Sequence, residues 1–302
     1  MAQSVIRGVR SVALALSAPD VAARFFEGVW GLQPVESPGE RRLLRGTGAY
    51  HHILSLQAGR SAILRVVFDV AGRAGIDRLH AAIGNTGVRA HAPRDDVGAG
   101  GGYGFSCIDP EGRCLAFVCG VADHADANDM PDRPRKITHV SLNTGDFDAS
   151  YRFFTNVLGF RLADENRPLT FLHCDNSDHH SVVLARAKGA TLNHIAFEMP
   201  DLDSVMRGAG RMKDHGYPIE WGVGRHGPGN NVFAYFAGPD ELPIEYTAEV
   251  LQVDDAYVAR GTDYWKFTAG RSDQWGVTGP RSARLMRIQD LFGFPAESDT
   301  PT

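Results

Sequence analysis

His139, His194 and Glu245, in the second half of this 302-residue chain, stand where the matching part of the first half has no such set. The match is an internal duplication. Residues 24–32 read RFFEGVWGL and residues 152–160 read RFFTNVLGF, 128 positions further on. VALAL from Val12 lines up with HVSLN from His139 at an offset of 127. RVVFD from Arg65 lines up with HIAFE from His194, and LAF from Leu115 with IEY from Ile244, both at 129. The first copy therefore has Val12, Arg65 and Ala116 where the second has two imidazoles and a carboxylate. A lone histidine reads most simply as a satisfied structural residue. Three aligned differences from a sister copy read as a ligand set for a divalent metal. Two histidines and one carboxylate hold a metal on one face and leave open positions for a chelating substrate and O₂.

Elements at the right spacing are needed to aim these groups inward. Each copy opens on an alternating apolar segment, 11–16 or 137–142, that reads as a strand. Alternation places His139 with Ser141 and His194 with Ala196, while Glu245 opposes Ile244 and Tyr246. A helix follows, capped by Asp146 or Asp148, with Tyr151, Phe154 and Leu158 on its buried face. Gly159, like Gly31 in the first copy, suits a left-handed C-cap. Strands at 169–173, 181–185 and 192–198 lead to a second helix over 202–215, ended by Gly216 and Pro218. Strands at 231–236 and 243–247 close the copy around a turn at GPDEL. The fold class is α+β: two tandem modules, each of paired βαβββ-type units. The expected division is 1–125 for a metal-free module, 135–250 for the metal-binding one and 251–302 for a tail. The polar segment 124–136, with two prolines, joins the modules. The tail contains Trp265 and Trp275, is too aromatic for disorder, and is expected to pack on the second module.

Bulk properties exclude several classes. Hydrophobic residues make up 43% and charged residues 22%, as in an ordinary globular protein. A net charge of -5 with no basic run argues against a nucleic-acid partner. No stretch approaches the ~18 apolar residues of a membrane span, and MAQSVIRGVR lacks the apolar region of a signal peptide. Cys107, Cys114, Cys119 and Cys174 form no CxxC pair and read as buried reduced thiols, which places the protein in the cytoplasm.

The doubled module, the His…His…Glu set and the segment GRHGPGNNVFAYFAGPDELPIEY (224–246) resemble type I extradiol ring-cleavage dioxygenases of the vicinal oxygen chelate superfamily. The resemblance covers nearly the whole chain. Its most specific part is His226, nine residues before Tyr235, with Glu245 ten residues after the tyrosine. It implies vicinal-oxygen-chelate modules whose curved mixed sheets surround a cavity. It implies Fe(II), or occasionally Mn(II), on His139, His194 and Glu245, and a catechol chelating the metal through both hydroxyls. O₂ then binds beside it and the ring opens next to the diol. His180, fourteen residues before His194, matches the family's acid/base histidine, which hydrogen-bonds O₂ and delivers a proton. His179 competes for that role; alternation puts the pair on opposite faces, and a histidine preceding a short apolar strand favours His180. His226 and Tyr235 match groups that hydrogen-bond the diol oxygen, the alternatives being a loop histidine and a half-buried strand tyrosine.

The chain also departs from the family. Some biphenyl-diol-cleaving relatives carry an aspartate where this chain has Gly229. Asn230 matches relatives with an RHGxxN loop that cleave carboxylate-bearing catechols; it either orients His226 or favours the turn. Arg271 resembles an arginine that pairs with a substrate carboxylate in some of those relatives, beside a basic residue replaced here by Ser272. As a short match, Arg271 reads first as a surface or lid residue. His51, His52 and His173 read as structural or exposed.

Three functions follow for comparison. An extradiol dioxygenase needs His180, His226 and Tyr235 around a three-ligand metal. An isomerase or lyase of glyoxalase type on the same fold usually wants a fourth protein ligand. A non-catalytic module sequestering an aromatic ligand needs no metal triad. The first fits best, with a small-molecule catechol as partner, and a homo-oligomer is the expectation by family analogy.

Overall fold

The computed structural model describes residues 4–37, 39–266 and 270–295. Two mixed sheets are built on one plan, each from two βαβββ units. In the second sheet, Ile137–Thr144 and Thr191–Glu198 run antiparallel at the centre. Each has a parallel neighbour on its outer side, Val182–Arg186 and Pro243–Ala248. Antiparallel Leu169–His173 and Val232–Ala237 come next, with Arg161–Glu165 and Trp221–Arg225 at the edges. Its two ends do not meet, so the curved sheet stays open over an inner face. The first sheet repeats this order around Ile6–Leu16 and Ala62–Val70. A short strand of the tail, Phe292–Gly293, pairs with Thr191 and Leu192.

The strand pairing corrects the alignment of the first copy. Val12 pairs with Leu54 and Val140 with Val182, so Val12 is the counterpart of Val140. Ser11 faces Val67 as His139 faces Ala196, so Ser11 is the residue that mirrors His139. A register shift between Val9 and Ser11 accompanies the error. Because side chains alternate, a one-residue slip moves the whole strand to its other face. Val12, fully buried, belongs to the core between sheet and helices.

The first helix of each copy begins as an α-helix and ends in a wider turn. Asp146 caps Phe147–Arg152 by accepting from Ala149 N at 3.0 Å, satisfying a donor the helix leaves open. The helix then widens into a π-turn over Phe153–Val157, as it does over Phe26–Trp30 in the first copy. Widening lets two successive phenylalanines face inward: Phe153 and Phe154 are both buried, as are Phe25 and Phe26. Gly159 (φ 79°) and Gly31 (φ 96°) end the turns in the left-handed region. The second helix, Leu202–Asp214, is capped by Asp201 onto Ser204 N at 2.7 Å.

One apolar core runs through both modules. Trp30 of the first stacks on Tyr246 of the second with ring centroids 3.7 Å apart, and Tyr246 Oη donates to Trp30 O at 2.7 Å. Tyr246 is the residue after Glu245. The helix of the copy without ligands therefore presses directly behind the carboxylate of the copy that has them.

Candidate metal centre

Register explains how three distant residues meet. His139 and Glu245 both pair with Ala196, from opposite sides, and His194 pairs with Ser141. Neighbouring strands lie about 4.8 Å apart, so His139 and Glu245 reach toward each other over a methyl group. The convergence is close. His139 Nε2 lies 3.1 Å from His194 Nε2 and 3.6 Å from Glu245 Oε2, and His194 Nε2 lies 3.1 Å from the same oxygen. Atoms about 2.1 Å from one ion, at right angles to each other, stand about 3.0 Å apart. All three side chains are buried, and Glu245 Oε2 has no hydrogen-bond donor. A buried carboxylate oxygen facing two imidazole nitrogens is costly by itself and is satisfied by a cation. The donor set fits a divalent metal.

Protonation suits the same role. Burial pushes the Glu245 carboxyl upward, but the imidazoles of His139 and His194 beside it outweigh that and hold the group far below its ordinary range. Burial lowers His194, with Glu245 opposing. Neutral imidazoles and an ionised carboxylate are the forms a metal requires. His194 Nδ1 lies 2.8 Å from Asn193 Oδ1, an acceptor, so Nδ1 donates and Nε2 keeps its lone pair for the centre.

Beside the triad sits a relay that the sequence reading contained only in part. His180 lies against His139, ring centroids 4.4 Å apart, while His179 points away. Asp164, fully buried, accepts from Arg260 N at 2.7 Å, from Tyr257 Oη at 3.1 Å and from His179 Nε2 at 2.9 Å. With Nε2 donating, His179 Nδ1 is an acceptor, and His180 Nδ1 donates to it at 3.0 Å. His180 Nε2 is then the free acceptor. Burial, then the neighbouring His139 and His179, hold the His180 imidazole neutral well below its ordinary value.

His226 Nε2 and Tyr235 Oη are 3.1 Å apart, and His226 Nε2 is 3.8 Å from Glu245 Oε1. Phe233 stacks on the His226 ring at 3.9 Å, and Trp221 lies against both rings. Burial brings His226 down to about 4, with Glu245 opposing, and burial with the Glu245 charge drives Tyr235 well above 10. Both groups are neutral near pH 7.

Two sequence candidates do not reach this cluster. Asn230 is exposed at φ 50°, and its Oδ1 accepts at 3.0 Å from Gln274 Nε2, a nitrogen that also donates to His226 O, so it shapes the turn and meets His226 only through the tail. Arg271 is exposed and lies against Gly276. Residues the sequence reading missed take the nearer places. Asn231, fully buried, donates to Thr247 Oγ1 at 2.7 Å and faces Glu245 Oε1 at 3.5 Å. Arg281 of the tail is the cation whose charge acts on His194 and Tyr235. Gly229, where some relatives have aspartate, has φ 81°, and a Cβ there would lie 2.8 Å from His180 Cε1. Close packing of His180 requires that glycine. His51 and His52 contact each other through Nδ1 at 3.1 Å in the first module, and His173 is buried near Cys174. All four cysteines are free and buried.

Comparison with known proteins agrees with this architecture. The family described as Glyoxalase/Bleomycin resistance protein/Dioxygenase superfamily matches residues 136–246. Metapyrocatechase 2 of Cupriavidus necator is 34% identical over 119 residues, 39% of this chain and 37% of that protein. The matches span 37 to 54% of the length of the first curated relatives. The crystal structure of the Mn(II)-bound glyoxalase from Novosphingobium aromaticivorans is 31% identical, with a TM-score of 0.87, over 99% of this chain and 97% of that one. Homoprotocatechuate 2,3-dioxygenase from Brevibacterium fuscum, in its complex with 3,4-dihydroxyphenylacetate, has the same fold at 21% identity and a TM-score of 0.82, covering 94% and 92% of the two chains.

Proposed function

This chain belongs to the Glyoxalase/Bleomycin resistance protein/Dioxygenase superfamily, and we propose that within it the protein is an extradiol dioxygenase. It would open the ring of a substituted catechol beside the diol, incorporating O₂, with Fe(II) or alternatively Mn(II) as its metal. The observation that carries this reading is the pairing of a three-donor centre, His139–His194–Glu245, with His180, His226 and Tyr235 around it. Bound there, the metal supplies Lewis-acid and redox chemistry and leaves positions for a chelating diol and O₂.

The protein's own groups would then act as follows. Tyr235 Oη and His226 Nε2 hydrogen-bond a diol oxygen and favour its loss of a proton. His180 Nε2, kept free by the relay through His179 to Asp164, takes a proton and returns it as the ring opens. Trp221, Phe233 and the tail helix Ala283–Ile288 cover this side of the sheet, where Leu285 and Ile288 pack with Phe233 and Tyr235. On this reading residues 1–125 support the site, 135–250 carry it and 251–302 enclose it. We place the protein in a reducing cytoplasm, on its four free thiols, as a homo-oligomer; no helix among the described residues is long and apolar enough to cross a membrane.

A second reading, an isomerase or lyase of glyoxalase type, has the Novosphingobium glyoxalase in its favour. Against it, only three candidate ligands come together among the described residues, where that chemistry usually uses four. Anaerobic Fe(II) loading followed by oxygen uptake with a panel of catechols separates them. We expect uptake matched by a yellow ring-opened product. Iron-replete protein that consumes no oxygen with any diol, yet turns over a hemithioacetal, establishes the second reading instead.

The relay gives a further test. Asp164→Asn offers His179 a donor as readily as an acceptor, so His180 loses its fixed tautomer. Turnover should fall roughly 10²-fold with iron content unchanged, the scale of a general acid–base contribution. Unchanged kcat in the iron-replete variant would show that the buried dyad only packs.

A further inference from the structure

The first module has lost the donors of the second without filling the space they occupied. Register aligns Ser11, Val67, Ala116 and Ser106 across its central strands as it aligns His139, Ala196, Glu245 and Tyr235 in the other. Serine replaces histidine, alanine replaces glutamate and serine replaces tyrosine. A cavity of about 790 Å³ opens there, within the ordinary range for small-molecule sites. A copy kept only as scaffold would gain stability by packing such a space with large apolar side chains.

The wall is charged instead. Arg65, in the place of His194, lines the cavity with Arg41 and Arg94, and the same three line a smaller adjoining space. Arg41 and Arg94 make no ion pair among the described residues. Arg10, also on the wall, is already neutralised by Asp69 and Asp123 at 3.1 Å each. Asp95 is held by Arg73, which leaves Asp96 as the carboxylate on the lining. Arg41 and Arg94, with no ion pair among the described residues, outnumber that one carboxylate and favour an anion, and guanidinium forks match a carboxylate in particular. Leu43, Val67, Ala13 and Ala116 add the apolar part of the same lining.

We propose that the first module is a second ligand site, binding an organic acid. Its carboxylate is received by Arg41 and Arg94, beside Arg65, and its apolar body lies on Leu43 and Val67. The site is separate from the metal centre, and neither its ligand nor its operation depends on the proposed activity.

Titration calorimetry of the whole metal-loaded chain with benzoate tests this. Benzyl alcohol serves as the uncharged ring and inorganic phosphate as the charge without a body. We expect saturable benzoate binding with a Kd of about 0.1–1 mM, and no comparable binding of the other two. Arg65→Met and Arg41→Met should each weaken it about tenfold or more, while Glu245→Ala, in the other module, leaves it unchanged. Arg41 is exposed at the cavity mouth, so its variant stays informative if the Arg65 variant does not fold. Absence of saturable benzoate binding, equal binding of benzyl alcohol, equal binding of phosphate, or loss of binding on Glu245→Ala with Arg41→Met inert would each overturn the proposal.

Discussion

Glu245→Ala is expected to abolish metal binding and lower ring-opening kcat/KM by about 10³-fold or more, the scale of losing several kcal/mol of Lewis-acid stabilisation. Without metal the two imidazoles beside the fully buried Glu245 hold its carboxyl far below the ordinary range, so at neutral pH its charge contributes stability and the metal-free variant should melt below the metal-free parent. Added Fe(II) or Mn(II) should stabilise the parent by mass action, about 2.7 kcal/mol at a hundred times Kd, and leave the variant unmoved. Thermal melts with and without metal read both effects, independently of any substrate. A variant that keeps its metal-linked shift would mean the carboxylate is not a ligand.

The triad was legible because duplication supplied an internal comparison and alternation supplied the facing. Those two signals placed His139, His194 and Glu245 on one sheet face from sequence alone, and the His226–Tyr235–Glu245 spacing reflects a single hairpin and its neighbour. Helix caps and C-terminal glycines were legible for the same local reason. What failed was register. Nothing in VALAL distinguishes Val12 from Ser11 as the mirror of His139, because the shift that separates them lies in the pairing with a strand fifty residues away. That slip also hid the cavity, since Ser11 faces it and Val12 faces the core. Asp164 was invisible for a related reason: it meets His179 across the sheet, and its other donors, Tyr257 and Arg260, come from the tail. Asn230 and Asn231 are adjacent, and only the positive φ of the first sends the second inward.

Arg113→Met should destabilise the fold by about 3–5 kcal/mol and weaken metal binding at a distance, because Arg113 links the two copies. Its side chain is fully buried. Nη1 donates to Asp109 Oδ2 at 2.8 Å, and Nη2 donates to Asn143 O at 2.8 Å and to Glu111. Glu111 in turn accepts from Gly145 N at 2.6 Å and Asp146 N at 2.8 Å, at the start of the second module's first helix. Methionine keeps the apolar stem and removes the charge, which leaves the buried Asp109 carboxylate without its partner. At roughly 2–4 °C per kcal/mol for a chain of this size, the melting temperature should fall by on the order of 10 °C. Pairing the change with Asp109→Leu should restore much of the loss, since replacing both charges costs less than stranding one. The metal effect follows another route. Asn143, whose carbonyl Arg113 holds, accepts at Oδ1 from Asn193 Nδ2 at 3.0 Å, and Asn193 Oδ1 fixes His194 Nδ1. Loosening Asn143 frees the imidazole to turn, and metal affinity should drop about 10-fold, the lower end for losing a partner of a ligand. If Arg113→Met lowers the melting temperature and leaves metal affinity intact, the first copy braces the fold without aiming the ligand; if it does neither, the copies are joined by Trp30 and Tyr246 instead.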